Sequence, residues 1–131
     1  ETGMNRTINR EKFDLDSLLD ELDTEGSVRQ LIYGGYAAML TERRRRSAFD
    51  PAAPFCILQA EGPVFALLRG DGSYGRVVCL VNVSSRAALW QADPAAGQVG
   101  GSVRDIVSGR EVAVRDGRLK LNPYQVLWFE S

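Results

Sequence analysis

Carboxylates are the side chains of this sequence with the clearest capacity for chemistry. Five of them lie close together, as Asp14, Asp16, Asp20, Glu21 and Asp23. Paired carboxylates could act as acid and base or hold a metal ion. However, leucines recur among them at helical spacing, at positions 15, 18, 19 and 22. The pattern predicts a short amphipathic helix, capped by Asp14 or Asp16, with the carboxylates on its solvated face and no catalytic group among them.

The composition excludes several other kinds of site. None of the 131 residues is histidine, so a Ser-His-Asp triad, a Cys-His pair and an HExxH zinc site are impossible. Cys56 and Cys79 lie in apolar runs without CxxC spacing. We predict that both thiols are reduced, buried and slow to react, and we predict no metal or cofactor.

The charge balance gives no reason to expect a polyanionic partner. The chain carries 16 basic and 17 acidic side chains, and its run of arginines, residues 43–46, suits the C-terminal turn of a helix. Nucleic acid is therefore not predicted as a partner. A membrane is not predicted either, because no apolar run is long enough for a membrane span. The absence of a signal-peptide pattern favours the cytoplasm. Residue 1 is Glu, from which we expect a chain that begins inside a longer reading frame.

The pattern of the chain changes near residue 50, at the sequence DPAAP (50–54). Before it, a second apolar set with helical spacing runs from Val28 to Leu40 and predicts a helical hairpin with the first helix; Ser27 is its candidate cap. After it come seven or eight short strands with Gly-containing turns and no intervening helices. We therefore predict an α+β fold, with an N-terminal helical hairpin followed by an antiparallel β-sandwich.

Alternation within the strands gives candidate core residues. The predicted inward positions are Phe65 and Leu67, Val78 and Leu80, Val112 and Val114, and Val126 and Trp128. Two local strings are discounted. The GxGxxG string at Gly70, Gly72 and Gly75 precedes a strand rather than a helix, which predicts a hairpin loop instead of a dinucleotide site. The glycosylation sequons at Asn5 and Asn82 have no export signal beside them.

Strings at the two ends of the chain are more specific. The first is ETGMNRTINREKFDLDSLLDEL, which contains Ile8, Asn9 and Arg10 and is followed by a helix ending in ERRRRSAFDPAAP. The second, VRDIVSGREVAVRDGRLKLNPYQVLWFES, closes on Leu121, Pro123, Tyr124, Val126 and Trp128. Together they resemble the end of the sucrose phosphorylase group in the α-amylase superfamily (glycoside hydrolase family 13). The strings FALLR and LVNVSS are similar to its glucosylglycerate phosphorylase relatives.

The resemblance implies two domains. Residues 1–50 would be the terminal loop and helices of a (β/α)8 catalytic barrel, here the end of a TIM barrel, and residues 51–131 a C-terminal antiparallel β-sandwich domain. The family uses a carboxylate nucleophile, a Glu acid/base and phosphate as the glucosyl acceptor. The match begins after those catalytic residues, so none has a counterpart here. The expected function is therefore that of a C-terminal fragment, inactive alone, which stabilises the barrel of a phosphorylase acting on sucrose or glucosylglycerate.

Asn9 and Arg10 match the family's loop after the last barrel strand, and the resemblance makes them candidate substrate-binding residues. The Arg10 guanidinium could bind phosphate or a glycerate carboxylate, or it could only brace the loop. The implied partners are the barrel of the parent chain and, through it, glucosides and phosphate.

A different class of function remains open. The chain could be a stand-alone β-sandwich module that binds carbohydrate or another protein through exposed Trp90, Tyr74 or Tyr124. If the chain is a fragment, the apolar stripe of the second helix has no evident partner within it. The isolated protein is then predicted to self-associate through the helical hairpin or to dock the hairpin onto the sheet, whereas a stand-alone module is expected to be monomeric.

Overall fold

Two α-helices begin the part of the chain that the computed structural model describes, residues 12–131. Helix α1 spans Leu15–Asp23 and helix α2 spans Val28–Arg45. Asp14 caps α1, as predicted, because its carboxylate accepts the backbone N–H of Ser17 at 3.0 Å. This hydrogen bond lowers the pKa of Asp14. Ser27 caps α2 in the same way through the N–H of Gln30 at 3.1 Å.

The rest of the described chain is built from eight strands. Their bounds are β1 Phe55–Ile57, β2 Val64–Arg69, β3 Val77–Asn82, β4 Ala88–Gln91, β5 Ser102–Arg104, β6 Glu111–Arg115, β7 Arg118–Leu121 and β8 Val126–Glu130. They form a first sheet in the order β1-β2-β3-β8 and a second in the order β4-β7-β6-β5. All of the strand pairs are antiparallel. The predicted fold class, two helices followed by antiparallel β-structure, is confirmed.

The chain divides into two units within α2, after Ala37. In the first unit the Arg29 guanidinium pairs with Glu21 and lies 4.4 Å from the ring centroid of Phe13. No residue of α1 or α2 is buried. The second unit, Ala38–Ser131, contains the end of α2 and both sheets. The domain boundary near residue 50 stays a prediction.

The main hydrophobic core lies between the two sheets. The first sheet contributes Val64, Ala66, Leu68, Val78, Leu80, Leu127 and Phe129, and the second contributes Trp90, Leu119 and Leu121. The predicted positions Val78 and Leu80 are confirmed. Val112 and Val114 are also confirmed as core-facing, since they pack partly buried against this cluster.

The predicted inward positions in β2 and β8 are wrong by one residue. All four residues lie on the outer face of the first sheet, where Phe65 is 47% exposed and Leu67, Val126 and Trp128 are half-buried. Both strands, VFALLR and VLWFE, are apolar on both faces. Alternation therefore did not distinguish the faces, and a shift of one residue exchanges them.

Candidate functional surface

The predicted substrate-binding residues, Asn9 and Arg10, lie outside the described residues. Within residues 12–131, no group of His, Cys, Asp or Glu side chains is arranged to hold a metal ion. The predicted solvated face of α1 is confirmed, because Asp16, Asp20 and Glu21 are exposed. The most distinctive features of the described residues are instead an apolar sheet surface and the polar networks that hold the neighbouring segments in place.

Apolar side chains cover most of the outer face of the first sheet, which is the face turned away from the main core; Arg69 and Glu130 lie in the row at one end of it. One row crosses all four strands, since Ile57 pairs with Leu67, Leu67 with Cys79, and Cys79 with Trp128. A second row consists of Phe65, Val81 and Val126. Directly opposed residues of antiparallel strands point to the same face. Ile57 is nevertheless 62% exposed.

The second sheet has a different outer face. Its outward residues are Leu89, Gln91, Ser102, Arg104, Glu111, Ala113, Arg115, Arg118 and Lys120, and all are exposed. Leu89 is the one large apolar side chain in this outward-facing set. The two faces of the sandwich therefore differ in polarity, and the second is suited to water.

The segment that follows α2 packs on one end of the first sheet's outer face. Ala48 is 1% exposed, and the Phe49 ring lies 4.9 Å from the Trp128 ring, measured between centroids. The Arg69 guanidinium fixes this segment by donating to the carbonyl oxygens of Ala48, at 3.2 Å, and Asp50, at 2.8 Å. The chain therefore enters the sandwich across this face.

Part of the arginine run has a structural role. The Arg46 guanidinium pairs with Glu42 one helical turn earlier and with Glu130 of β8, at 2.7 Å. Arg45 pairs with Glu42 as well, at 2.8 Å. The hydrogen bond from Arg46 lowers the pKa of Glu42. These ion pairs tie the last turn of α2 to the last strand of the first sheet.

Asp105 locks the loop between β5 and β6 onto β8. Asp105 is 5% exposed, and its carboxylate accepts the N–H groups of Val107, Ser108 and Trp128 at 3.1–3.3 Å, together with the Ser108 hydroxyl at 2.5 Å. Gly109 completes the turn at a φ of 72°. The string D-I-V-S-G is therefore a satisfied buried carboxylate within a turn, and sequence reasoning did not single out Asp105.

Asn82 has a similar role at the end of β3. Its amide nitrogen donates to the carbonyls of Arg86, at 2.6 Å, and Asn122, at 2.9 Å. Its amide oxygen accepts the N–H and the hydroxyl of Ser84. Asn82 is 1% exposed, so this sequon is closed to glycosylation in the folded protein.

The aromatic platforms expected for a binding module are only partly present. The prediction for Trp90 is wrong, because its side chain is 0% exposed and its indole N–H donates to the Gln59 carbonyl at 2.9 Å. Tyr74 is half-buried, whereas Tyr124 is exposed in a turn with a φ of 54°.

The two cysteines differ in their surroundings. Cys79 is buried as predicted, but the prediction that Cys56 is buried is wrong, since β1 is a short strand at the edge of its sheet. Burial raises the pKa of the Cys79 thiol to about 12. Both thiols are free.

Thiol labelling should therefore distinguish the two cysteines. We expect Cys56 to react within minutes at pH 8 in the native state and Cys79 only after denaturation, because the thiolate is the reactive form. The number of thiols that react with and without urea measures the difference between the two cysteines, and the Cys56→Ser variant is the control. Rapid native labelling of the Cys56→Ser variant would contradict the burial of Cys79.

Solved structures identify the class of fold. No protein-family model matches the sequence. An α-amylase from Anoxybacillus aligns with 82% of this chain and 23% of its own, with a TM-score of 0.60 and 15% identity. AmyP, solved with maltose, aligns with 81% of this chain and 22% of its own, with a TM-score of 0.61 and 14% identity. The described fold is thus one found within α-amylase proteins.

Sequence relatives narrow the comparison. Glucosylglycerate phosphorylase of Spirochaeta thermophila is 46% identical over 84 residues, covering 63% of this chain and 14% of the relative. The Escherichia coli and Allomeiothermus silvanus glucosylglycerate phosphorylases are 28% and 30% identical over 128 residues, 98% of this chain and 22% and 20% of theirs. The predicted resemblance to this part of the α-amylase superfamily is confirmed. The chain spans about a fifth of these relatives, or less.

No described helix is both long and apolar enough to cross a membrane.

Proposed function

We propose that this chain is the C-terminal portion of a retaining glucosyl-transferring phosphorylase. Residues 1–50 would supply the last loop and helices of its catalytic barrel, and residues 51–131 a β-sandwich that stabilises the barrel. The observation that carries the proposal is the similarity of 98% of the chain to two glucosylglycerate phosphorylases. Glucosylglycerate is accordingly the proposed substrate ahead of sucrose, with phosphate as the glucosyl acceptor and the cytoplasm as the location.

The chemistry of such an enzyme would depend on groups outside this chain. A carboxylate nucleophile and a Glu acid/base would belong to the earlier part of the barrel. Asn9 and Arg10 would contribute to the acceptor side, where a guanidinium can bind two oxygens of a phosphate or carboxylate at once. The sandwich would act through stability and not through contact with substrate.

A stand-alone module for carbohydrate or protein binding is the alternative. Trp90, the largest of the aromatic side chains expected to bind a ligand in such a module, is buried. Tyr124, which is 67% exposed, would be the remaining candidate for stacking on a sugar ring.

A chimera tests the proposal. Full-length Escherichia coli glucosylglycerate phosphorylase, with its matching part replaced by this chain, should release glucose 1-phosphate from glucosylglycerate and phosphate. The 131-residue chain alone should give no product above the buffer blank, because it would lack the nucleophile and the acid/base. The relative with its own sequence intact is the positive control.

Two results would contradict the proposal. One is a chimera that folds and remains without activity. The other is turnover by the isolated chain that persists through purification to homogeneity.

A further inference from the structure

Three cationic side chains lie together on the outer face of the second sheet. Arg115 and Arg118 are directly opposed across the β6–β7 hairpin, and Lys120 points to the same face two residues further along β7. All three are exposed. Within residues 12–131 none of them forms an ion pair, even with Asp116 in the turn between the two arginines. We call these three residues the cationic patch.

The cationic patch works against the stability of the hairpin. Like charges that are directly opposed on antiparallel strands destabilise a sheet, and Lys120 adds a third positive charge about 7 Å along the strand. Elsewhere on the same face the charges are balanced, because Arg104 lies opposite Glu111. The requirements of folding therefore do not explain the patch, whereas a bound anion would remove the repulsion.

One of the two guanidinium groups is already held in place. Arg118 lies opposite Gln91 of β4, and its Nε donates to Gln91 Oε1 at 2.9 Å. Gln91 is fixed in turn, because its Nε2 donates to the Gly117 carbonyl oxygen at 3.2 Å. These bonds leave the two terminal nitrogens of Arg118 available to an anion. A side chain that is held before its ligand arrives loses less entropy on binding.

We propose that the cationic patch binds a phosphate group, either as inorganic phosphate or as part of a sugar phosphate. A phosphate dianion presents three or more oxygens around a tetrahedral centre, which suits two guanidinium groups and an ammonium. A carboxylate carries a single charge and two oxygens in one plane, which a single arginine can satisfy.

This site goes beyond the proposed function, because it uses neither Asn9 nor Arg10 and lies wholly on the second sheet. Strands β6 and β7 bring the three cations together only in the folded protein. A ligand that binds the folded state alone stabilises it. Phosphate should therefore raise the stability of the sandwich.

Calorimetric titration of the 131-residue chain with inorganic phosphate tests the proposal. We expect a Kd of about 1 mM and, in about 20 mM phosphate, a Tm at least about 3 °C higher than in potassium chloride of equal ionic strength. The double variant Arg115→Gln, Arg118→Gln should bind at least about tenfold more weakly. Arg104→Gln is the matched control, because Arg104 is an exposed arginine of the same sheet that lies opposite an acidic residue, and it should bind phosphate like the parent.

Stability without phosphate provides a second measurement. Because the double variant lacks the opposed charges, its Tm in potassium chloride should be equal to that of the parent or higher. A variant that is folded and yet no longer responds to phosphate supports the site. A double variant that unfolds at a clearly lower temperature than the parent in potassium chloride would show that the arginines serve the fold, and it would overturn the proposal.

Three further results would overturn the phosphate site. The first is an equal rise in Tm for the parent and the double variant, since phosphate then acts only by its exclusion from the protein surface. The second is equal weakening of binding by Arg104→Gln, and the third is an equal effect of potassium acetate on the parent. A parallel titration with glucose 1-phosphate identifies the source of the phosphate group, because the tighter of the two ligands is the one that the patch fits. None of these results depends on the activity of the chimera, so the proposed function and the phosphate site fail separately.

Discussion

Trp90→Ala should lower the free energy of unfolding by about 3–5 kcal/mol. The side chain is 0% exposed at the centre of the core and lies 6.5 Å from the Phe129 ring, measured between centroids. Its removal would leave a cavity between the sheets and would leave the Gln59 carbonyl without the indole N–H that it accepts. A domain of this size is stable by only about 5–15 kcal/mol, so much of the stability would be lost.

Urea denaturation followed by far-ultraviolet circular dichroism measures this loss. Leu89→Ala is the matched control, because it truncates the adjacent residue of the same strand on the solvent side and should cost less than about 1 kcal/mol. Equal losses for the two variants would contradict the placement of Trp90 in the core.

Asp105→Ala should be the second most damaging change, at about 2–4 kcal/mol. It would leave the N–H groups of Val107, Ser108 and Trp128 without the acceptor that they share. Because Asp105 is 5% exposed, water cannot easily replace the carboxylate, and unsatisfied buried donors are costly. The loop between β5 and β6 would also lose its attachment to β8.

Two further variants show whether burial is the cause. Asp71→Ala removes a comparable turn acceptor, which binds the N–H of Ser73 at 2.8 Å, but in an exposed loop, and should cost about 1 kcal/mol or less. Asp105→Asn keeps one oxygen acceptor and should fall between the wild type and Asp105→Ala. Chemical denaturation of all three compares them, and an Asp105→Ala loss no larger than that of Asp71→Ala would contradict this role.

The strings that carried the family resemblance turn out, where described, to be elements of architecture. Asp105 and Gly109 form a turn that is hydrogen-bonded to Trp128 in the middle of β8, and Asn82 connects the β3–β4 and β7–β8 turns. Both polar groups are almost completely buried and fully hydrogen-bonded. A buried polar group has few acceptable replacements, because each substitute leaves a partner unsatisfied. The resemblance therefore describes a shared scaffold, and the proposal of a shared reaction depends on the longer enzyme.

The strands themselves were largely predictable because particular residue types, above all glycine, mark the turns at which they end. Glycines at turns, such as Gly62 and Gly117 with φ values of 63° and 70°, mark positions where the backbone has a positive φ, a conformation that other residues adopt at a cost. The helices were predictable for a similar reason, since leucine spacing and the Asp14 cap are local features. The burial of Trp90 was not predictable in this way, because an aromatic residue in a short strand suits a binding face and a core equally well.

The sequence by itself determined the order of the elements, the absence of histidine chemistry and the similarity to one group of the α-amylase superfamily. Only the tertiary structure decided which face of each strand is buried. In β2 and β8 both faces are apolar, so the choice depends on which neighbouring layer each face meets. That choice turned Phe65 outward. Trp90 is in the core and Cys56 is exposed on the edge strand β1 for a related reason, because burial is a property of the packed sheets and not of the local pattern.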